Sequence, residues 1–335
     1  MRKVNLFDCE LDEHDERGSI ANRGATLGRK LGARKIGAGL YEIEEGLWVW
    51  PYHYHHGVEE WLYVVAGSPV LRDRRGERTL TAGDFVCFPS GHVGAHTVGG
   101  PGRVAIFSVG GWPNPSICVY PDSDKVGSRP GDTGVPGLDN LDFPREAAVD
   151  YWFGEGSGEP VDSPELVRAP RRGYRPLEFN AITIQTDRIP IEPPDGFRVR
   201  TAPLGQLLCA ERLGATLYDI EPGQGSPRPY HYEYGREEWL HVIAGTPTLR
   251  GTGGEELLGA GDLVCFPEGP DGAHRVLNRS SESIRVVLFS TQEIPAVRIF
   301  PDSRKLMVTY SRDHEAALFR QDDERGSDEY WDGEA

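Results

Sequence analysis

PYHYHHGVEEWLYVVAG, residues 51–67, decides the fold, because it is written again as PYHYEYGREEWLHVIAG at 229–245. His231 follows His53 by 178 residues, and the same interval separates GDFVCFPSGHVGAH, beginning at Gly83, from GDLVCFPEGPDGAH, beginning at Gly261. No insertion divides the two motifs in either copy, so the chain is an internal duplication. The likeness extends outward on both sides. IGAGLYEIEEG (36–46) answers LGATLYDIEPG (213–223), RVAIFS (103–108) answers RVVLFS (285–290), and VYPDSDK (119–125) answers IFPDSRK (299–305). The ends match too, DYWFGEG (150–156) with EYWDGEA (329–335). Each copy thus owns a lead-in, a motif core and a C-terminal extension. The 335 residues accommodate two cores. The boundary is expected near Arg171 or Arg172, after the Pro/Gly/Asp-rich stretch from Gly127 to Pro170, giving domains 1–171 and 172–335.

Within each copy, short apolar or alternating runs are punctuated by Gly, Pro and Asp, as in EEWLYVVAGSPVLRDRRGERTLTAGDFVCFP. This pattern predicts an all-β chain. Helical periodicity is weak, with EAALFR at 315–320 as a short candidate. Many short strands leave many edges, and closure into two tandem jelly-roll barrels removes them.

Composition narrows the partners. With 52 acidic against 36 basic residues the formal net charge is -16, a surface that repels a phosphate backbone. Nucleic acid is therefore not an expected partner. No run approaches the roughly 20 apolar residues that cross a bilayer, and the first residues show no apolar signal core, so no membrane partner and a cytoplasmic location are expected. Five cysteines, Cys9, Cys87, Cys118, Cys209 and Cys265, are odd in number and form no CxxC, which argues against a disulfide framework or zinc ribbon. Cys87 and Cys265 lie in the apolar runs DFVCFP and DLVCFP and read as core. The acidic end, QDDERGSDEYWDGEA, reads as a solvated tail.

The chemistry sits in the repeated motifs. His53 and His55 are two apart, and on a strand residues i and i+2 face the same way. Beyond a turn at Gly57, Glu60 shares a face with Leu62 and Val64, and a hairpin can return its carboxylate to the histidines. His96 follows the buried run FVCF and the loop PSGHVG. Three imidazoles and one carboxylate converging in a barrel suit one divalent ion, Fe, Mn, Zn or Ni. The second copy offers His231, Glu233, Glu238 and His274, with glutamate in place of His55. Two carboxylates neutralise a divalent ion, so the sites are not equivalent. Either Glu233 ligates a harder ion, or it stands off the metal as a base toward water. Glu60 and Glu233 are the candidate catalytic carboxylates. Tyr52, Tyr54, Tyr230 and Tyr232 interleave with these positions and read as packing; Trp48, Trp50 and Arg228 are candidates for a barrel mouth.

These motifs resemble the cupin superfamily, whose first motif reads G(X)5HXH(X)3-4E(X)6G, with its leading Gly replaced here because Gly46 stands one residue too early, and whose second opens G(X)5PXG. His53, His55, Glu60 and Gly67 meet the first, and counting back from Gly67 selects Glu60 over Glu59. Gly83, Pro89 and Gly91 meet the second, after which two extra residues precede His96 and the family's final Asn is absent. His92 lies nearby, but Pro270 replaces it in the second copy, so His96 and His274 are the corresponding pair. The resemblance implies a bicupin of two double-stranded β-helix barrels, with at most one metal per domain. It further implies a small-molecule substrate, and a homodimer, since barrels of this kind often pair. The implied activity is a metal-dependent dioxygenase or decarboxylase acting on a small oxygen-rich anion, as in bicupins similar to quercetin dioxygenase and oxalate decarboxylase. A redox-neutral isomerase, lyase or hydrolase and a non-enzymatic binding bicupin are the alternatives.

Overall fold

A computed structural model describes residues 2–111, 114–129, 141–149, 178–188, 193–311 and 316–320. The expected boundary at 171/172, the acidic tail and the matching ends at 150–156 and 329–335 lie outside these residues. The regular structure of the described chain is almost all strand, with short α-helices at Leu27–Leu31 and Leu204–Leu207. It forms two compact units. One comprises Asp12–Gly24 and Tyr41–Glu178; the other comprises Met1–Leu11, Ala25–Leu40 and Phe179–Ala335.

In the first unit, Glu59–Gly67 runs antiparallel between Asp84–Phe88 and Gly102–Val109. A smaller sheet holds Val70–Asp73 between His96–Gly99 and Gly76–Thr79. Alternation along Glu59–Gly67 decides what is buried where. Leu62 and Val64 enter the barrel core with Leu71, Val86, Phe88 and Val98, and Glu60 shares their parity at the end of the row. The opposite parity carries Trp61 and Tyr63, whose rings meet that of Phe85. The C-terminal extension then adds a third sheet, in which Ser116–Tyr120 lies between Tyr54–His56 and Lys125–Arg129, with Leu141–Pro144 outermost. This sheet seats the extension beside His55.

The second unit repeats the plan. Glu238–Ala244 lies between Asp262–Phe266 and Ile284–Thr291, and Leu213–Ile220 continues the sheet. Its extension sheet is ordered Tyr232–Tyr234, Ala296–Phe300, Lys305–Thr309, Ala316–Arg320. That last strand corrects the helical reading of EAALFR: the segment is too short to hold a helix alone, and pairing with Lys305–Thr309 satisfies its backbone instead. A second difference concerns the lead-in, which the sequence assigns wholly to the first domain. Lys3–Asn5 pairs antiparallel with Asp262–Phe266, and the backbone amides of Arg34 and Ile36 donate to the Glu237 carboxylate at 2.6 and 3.0 Å. Residues 1–11 and 25–40 accordingly cluster with the second unit.

Candidate metal centre

His53 and His96 are directly opposed across an isolated bridge, His53 N donating to His96 O at 3.1 Å and His96 N to His53 O at 2.8 Å. The two residues that the second motif adds before His96 are accommodated as a single 3-10 turn, His92–Gly94. Glycine is required at its end, because a Cβ on Gly94 would collide with the Pro89 carbonyl oxygen. Gly272 makes the same approach to Pro267 in the other barrel. His92 itself is exposed on this turn, and His96 is buried. The His96 ring stacks on Phe88 with centroids 3.6 Å apart, which fixes its plane.

His53, Glu60 and His96 bring their ligand atoms within 4.8 Å of one another, and His55 joins them only at the Glu60 carboxylate, being grouped with His53 and Cys118. Glu60 Oε2 lies 3.8 Å from His53 Nε2, 3.5 Å from His55 Nε2 and 3.7 Å from His96 Nε2. Glu59, the competing acid, faces away and accepts from Trp61 Nε1 at 3.1 Å. The tautomers follow from the backbone: His53 Nδ1 donates to Pro51 O and His96 Nδ1 to Gly94 O, both at 2.9 Å. A carbonyl can only accept, so each Nδ1 carries the proton and each Nε2 presents a lone pair to the centre. His96 Nε2 is buried and has no hydrogen-bond partner among the described residues.

Charge at this centre is one-sided. Burial holds His96 well below the usual imidazole range, lowers His53, and brings His55 down to about 4 with help from the Arg129 cation. The imidazoles are therefore neutral near pH 7, the form that ligates. Burial pushes the Glu60 carboxyl upward, opposed by His53. No Lys or Arg among the described residues pairs with Glu60. Ligands sharing a cation at about 2.0–2.2 Å sit roughly 3.0–3.5 Å apart, and the three distances from Glu60 Oε2 lie at or just above that range. The donor set fits a divalent cation.

Three further groups flank the centre and escaped the sequence reading. Cys118 is the cross-strand neighbour of His55, and His53, His55 and Cys118 bring ligand-type atoms within 4.8 Å of one another. Burial raises its thiol to about 11. Tyr120, whose ring centroid is 6.2 Å from that of His53, hydrogen-bonds the Cys118 thiol and accepts from Arg129 Nη2 at 2.7 Å. The signal available was asymmetry: past the motifs the repeat offset becomes 180, so that Cys118 and Tyr120 align with Arg298 and Phe300.

The second barrel preserves the backbone and changes the side chains. His231 and His274 oppose each other as their counterparts do, and His274 stacks on Phe266 at 3.6 Å. His231, Glu238 and His274 bring ligand atoms together; Glu233 is not part of that group. Its carboxylate is bound by Arg298. Arg228 Nη1 donates to Glu238 Oε1 at 2.7 Å. Burial would raise Glu238, but His231, Arg228 and His274 outweigh it and hold this carboxyl well below the usual range. Burial brings His274 down to about 3, chiefly with His231 adding to the effect. The interleaved tyrosines are structural at two positions, where Arg72 covers Tyr52 at 4.3 Å and Arg250 covers Tyr230 at 4.0 Å. Trp50 packs edge-on against Tyr41 at 4.9 Å.

Two small all-β barrels in one chain, each turning opposed histidines and a motif glutamate into its interior, define a duplicated barrel protein with candidate metal sites. Residues 39–110 and 216–290 each match the family described as Cupin domain. The chain therefore carries two cupin domains in tandem. It is similar to a sugar phosphate isomerase of the cupin superfamily from Silicibacter pomeroyi, with 21% identity over 44% of this chain and 93% of that one and a TM-score of 0.38. A variant of Bacillus subtilis oxalate decarboxylase is similar over 88% of this chain and 77% of its own, with 17% identity and a TM-score of 0.47. No curated protein matches the sequence.

Proposed function

We propose that the first barrel is the catalytic centre of a metal-dependent enzyme acting on a small, oxygen-rich anionic substrate by oxygenation or decarboxylation. One observation carries this reading: three imidazole Nε2 atoms lie within 3.8 Å of one oxygen of a buried carboxylate that no Lys or Arg among the described residues pairs with. A divalent ion held by His53, His55, Glu60 and His96 would supply a Lewis-acidic centre with a residual positive charge, to which a chelating anion is drawn. The chain's own residues do the rest. The carbonyls of Pro51 and Gly94 hold the histidine tautomers, and Phe88 fixes the His96 ring. Arg129 adds positive potential beside the ligands and orients the Tyr120 hydroxyl.

The test is metal analysis of protein purified anaerobically without chelator, followed by oxygen-uptake and carbon dioxide assays with oxalate and 2-oxo acids. Iron or manganese with turnover abolished by His96→Ala is the expected result. Ligand-dependent stabilisation without turnover would instead make the chain a binding protein. Tyr120 and Cys118 favour one further reading, a redox-neutral isomerase, lyase or hydrolase, because a phenol and a thiol beside the ligands can relay a proton. Zinc with turnover independent of dioxygen would select it.

A further inference from the structure

The second barrel keeps the backbone of a metal site and matches both of its acids with arginine. Where His55 faces Cys118 across paired strands, Glu233 faces Arg298, whose Nε donates to Glu233 Oε1 at 2.6 Å while Nη2 reaches the same oxygen. Where Trp50 stands in the first copy, Arg228 takes Glu238 Oε1 at 2.7 Å. The remaining Glu238 oxygen lies 3.2 Å from His231 Nε2, whose other ring nitrogen is 2.8 Å from the Pro229 carbonyl. Both carboxylates are thus already engaged by guanidinium groups. Charge makes the same point. Arg228, Arg236 and Arg298 against Glu233 and Glu238 leave one positive charge before any cation arrives, and a divalent ion would bring the total to three. This donor set does not fit a metal.

It fits an anion. Arg228, Arg236, Arg298 and Glu238 line a cavity of about 740 Å³, with Leu288 and Met307 contributing apolar wall. That volume lies within the range of organic-ligand pockets. A guanidinium offers five N–H donors in a planar fork that suits a carboxylate. Arg228 places Nη1 on Glu238 and Arg236 places Nε on the Glu293 carbonyl at 2.9 Å, so each keeps donors for a ligand.

We propose that the second barrel binds a small organic carboxylate without metal, the carboxylate held by Arg228 and Arg236 and the carbon skeleton lying against Leu288 and Met307. Arg298 is the positioning residue: it replaces the missing cation by neutralising Glu233, so that the anion meets net positive charge.

Two measurements on full-length protein test this. Equilibrium dialysis against Mn²⁺ should give one ion per chain, unchanged in His274→Ala and lost in His96→Ala. Calorimetric titration of chelator-treated, desalted protein with benzoate, gluconate and malonate should show binding of at least one. Its neutral amide should bind about tenfold or more weakly. Arg236→Gln should weaken that carboxylate by a similar factor and His96→Ala should leave it unchanged. Arg228→Gln leaves Glu238 without its partner, so the neutral pair Arg228→Gln/Glu238→Gln serves where the single variant does not fold. Two ions per chain with one lost in His274→Ala would overturn the proposal. So would failure of all three carboxylates to bind, or binding that follows His96. Carboxylate binding in a chain that takes up no Mn²⁺ at all would sink the catalytic reading of the first barrel and leave this one standing.

Discussion

Replacing His96 with alanine and comparing it with His274→Ala separates the two barrels thermodynamically. Metal binding to the folded state alone adds RT ln(1 + [M]/Kd), about 2.7 kcal/mol at a hundredfold excess over Kd. The first unit spans about 150 residues, and at that size 1 kcal/mol moves a melting transition by about 2–4 °C. Manganese should therefore raise the first unit's transition by roughly 5–11 °C in the wild type. His96→Ala removes a ligand whose Nε2 has no hydrogen-bond partner among the described residues, and the rise should vanish. The variant also loses the ring stacked on Phe88, at a cost of about 2–4 kcal/mol present with or without metal. Subtracting melts with and without Mn²⁺ cancels that cost. Differential scanning calorimetry reads both transitions in one scan. His274→Ala, which lies in the barrel whose acids are already paired, should keep the full metal-dependent rise. A rise that survives in His96→Ala and disappears in His274→Ala would refute the assignment of the metal to the first barrel.

Other outcomes follow from other contacts. Gly94→Ala should lower metal affinity about 10–100-fold by equilibrium dialysis, because the displaced turn carries the carbonyl that orients His96. Glu237→Leu should destabilise the second unit by at least about 3 kcal/mol in urea unfolding, since it strands the amides of Arg34 and Ile36 and the Trp239 indole N–H. Asp219 is held below the ordinary carboxyl value of 3.8 by Arg285 and Thr186, which outweigh its burial. A depressed folded-state value means that its contribution is complete above about 3.8 and drains away as pH falls below it. Asp219→Asn should therefore lower stability at neutral pH and flatten the acid limb of the unfolding curve, measured by circular dichroism.

The duplication and the strand-rich architecture were legible, because each rests on local spacing. Two-residue periodicity sets which side chains share a face, and the count from Gly67 separates Glu60 from Glu59. What lay beyond reach depends on pairing between distant strands. Nothing local in Ala296–Phe300 says that Arg298 will lie opposite Glu233; that follows only from the register of two strands some 65 residues apart. The lead-in escaped for the same reason. Lys3–Asn5 is three residues long, and its partner strand lies more than 250 residues away. EAALFR was misread because six residues carry too little periodicity to outweigh a waiting sheet edge.

The pairing of Lys3–Asn5 with Asp262–Phe266 also bears on how the molecule can be divided. A fragment beginning at residue 178 would leave the backbone of Asp262–Phe266 open along one side, a template for another chain. Adding back a peptide of residues 1–11 should restore its solubility. During synthesis Lys3–Asn5 must wait for Asp262–Phe266, so this edge of the second barrel stays open until a strand more than 250 residues downstream has been made.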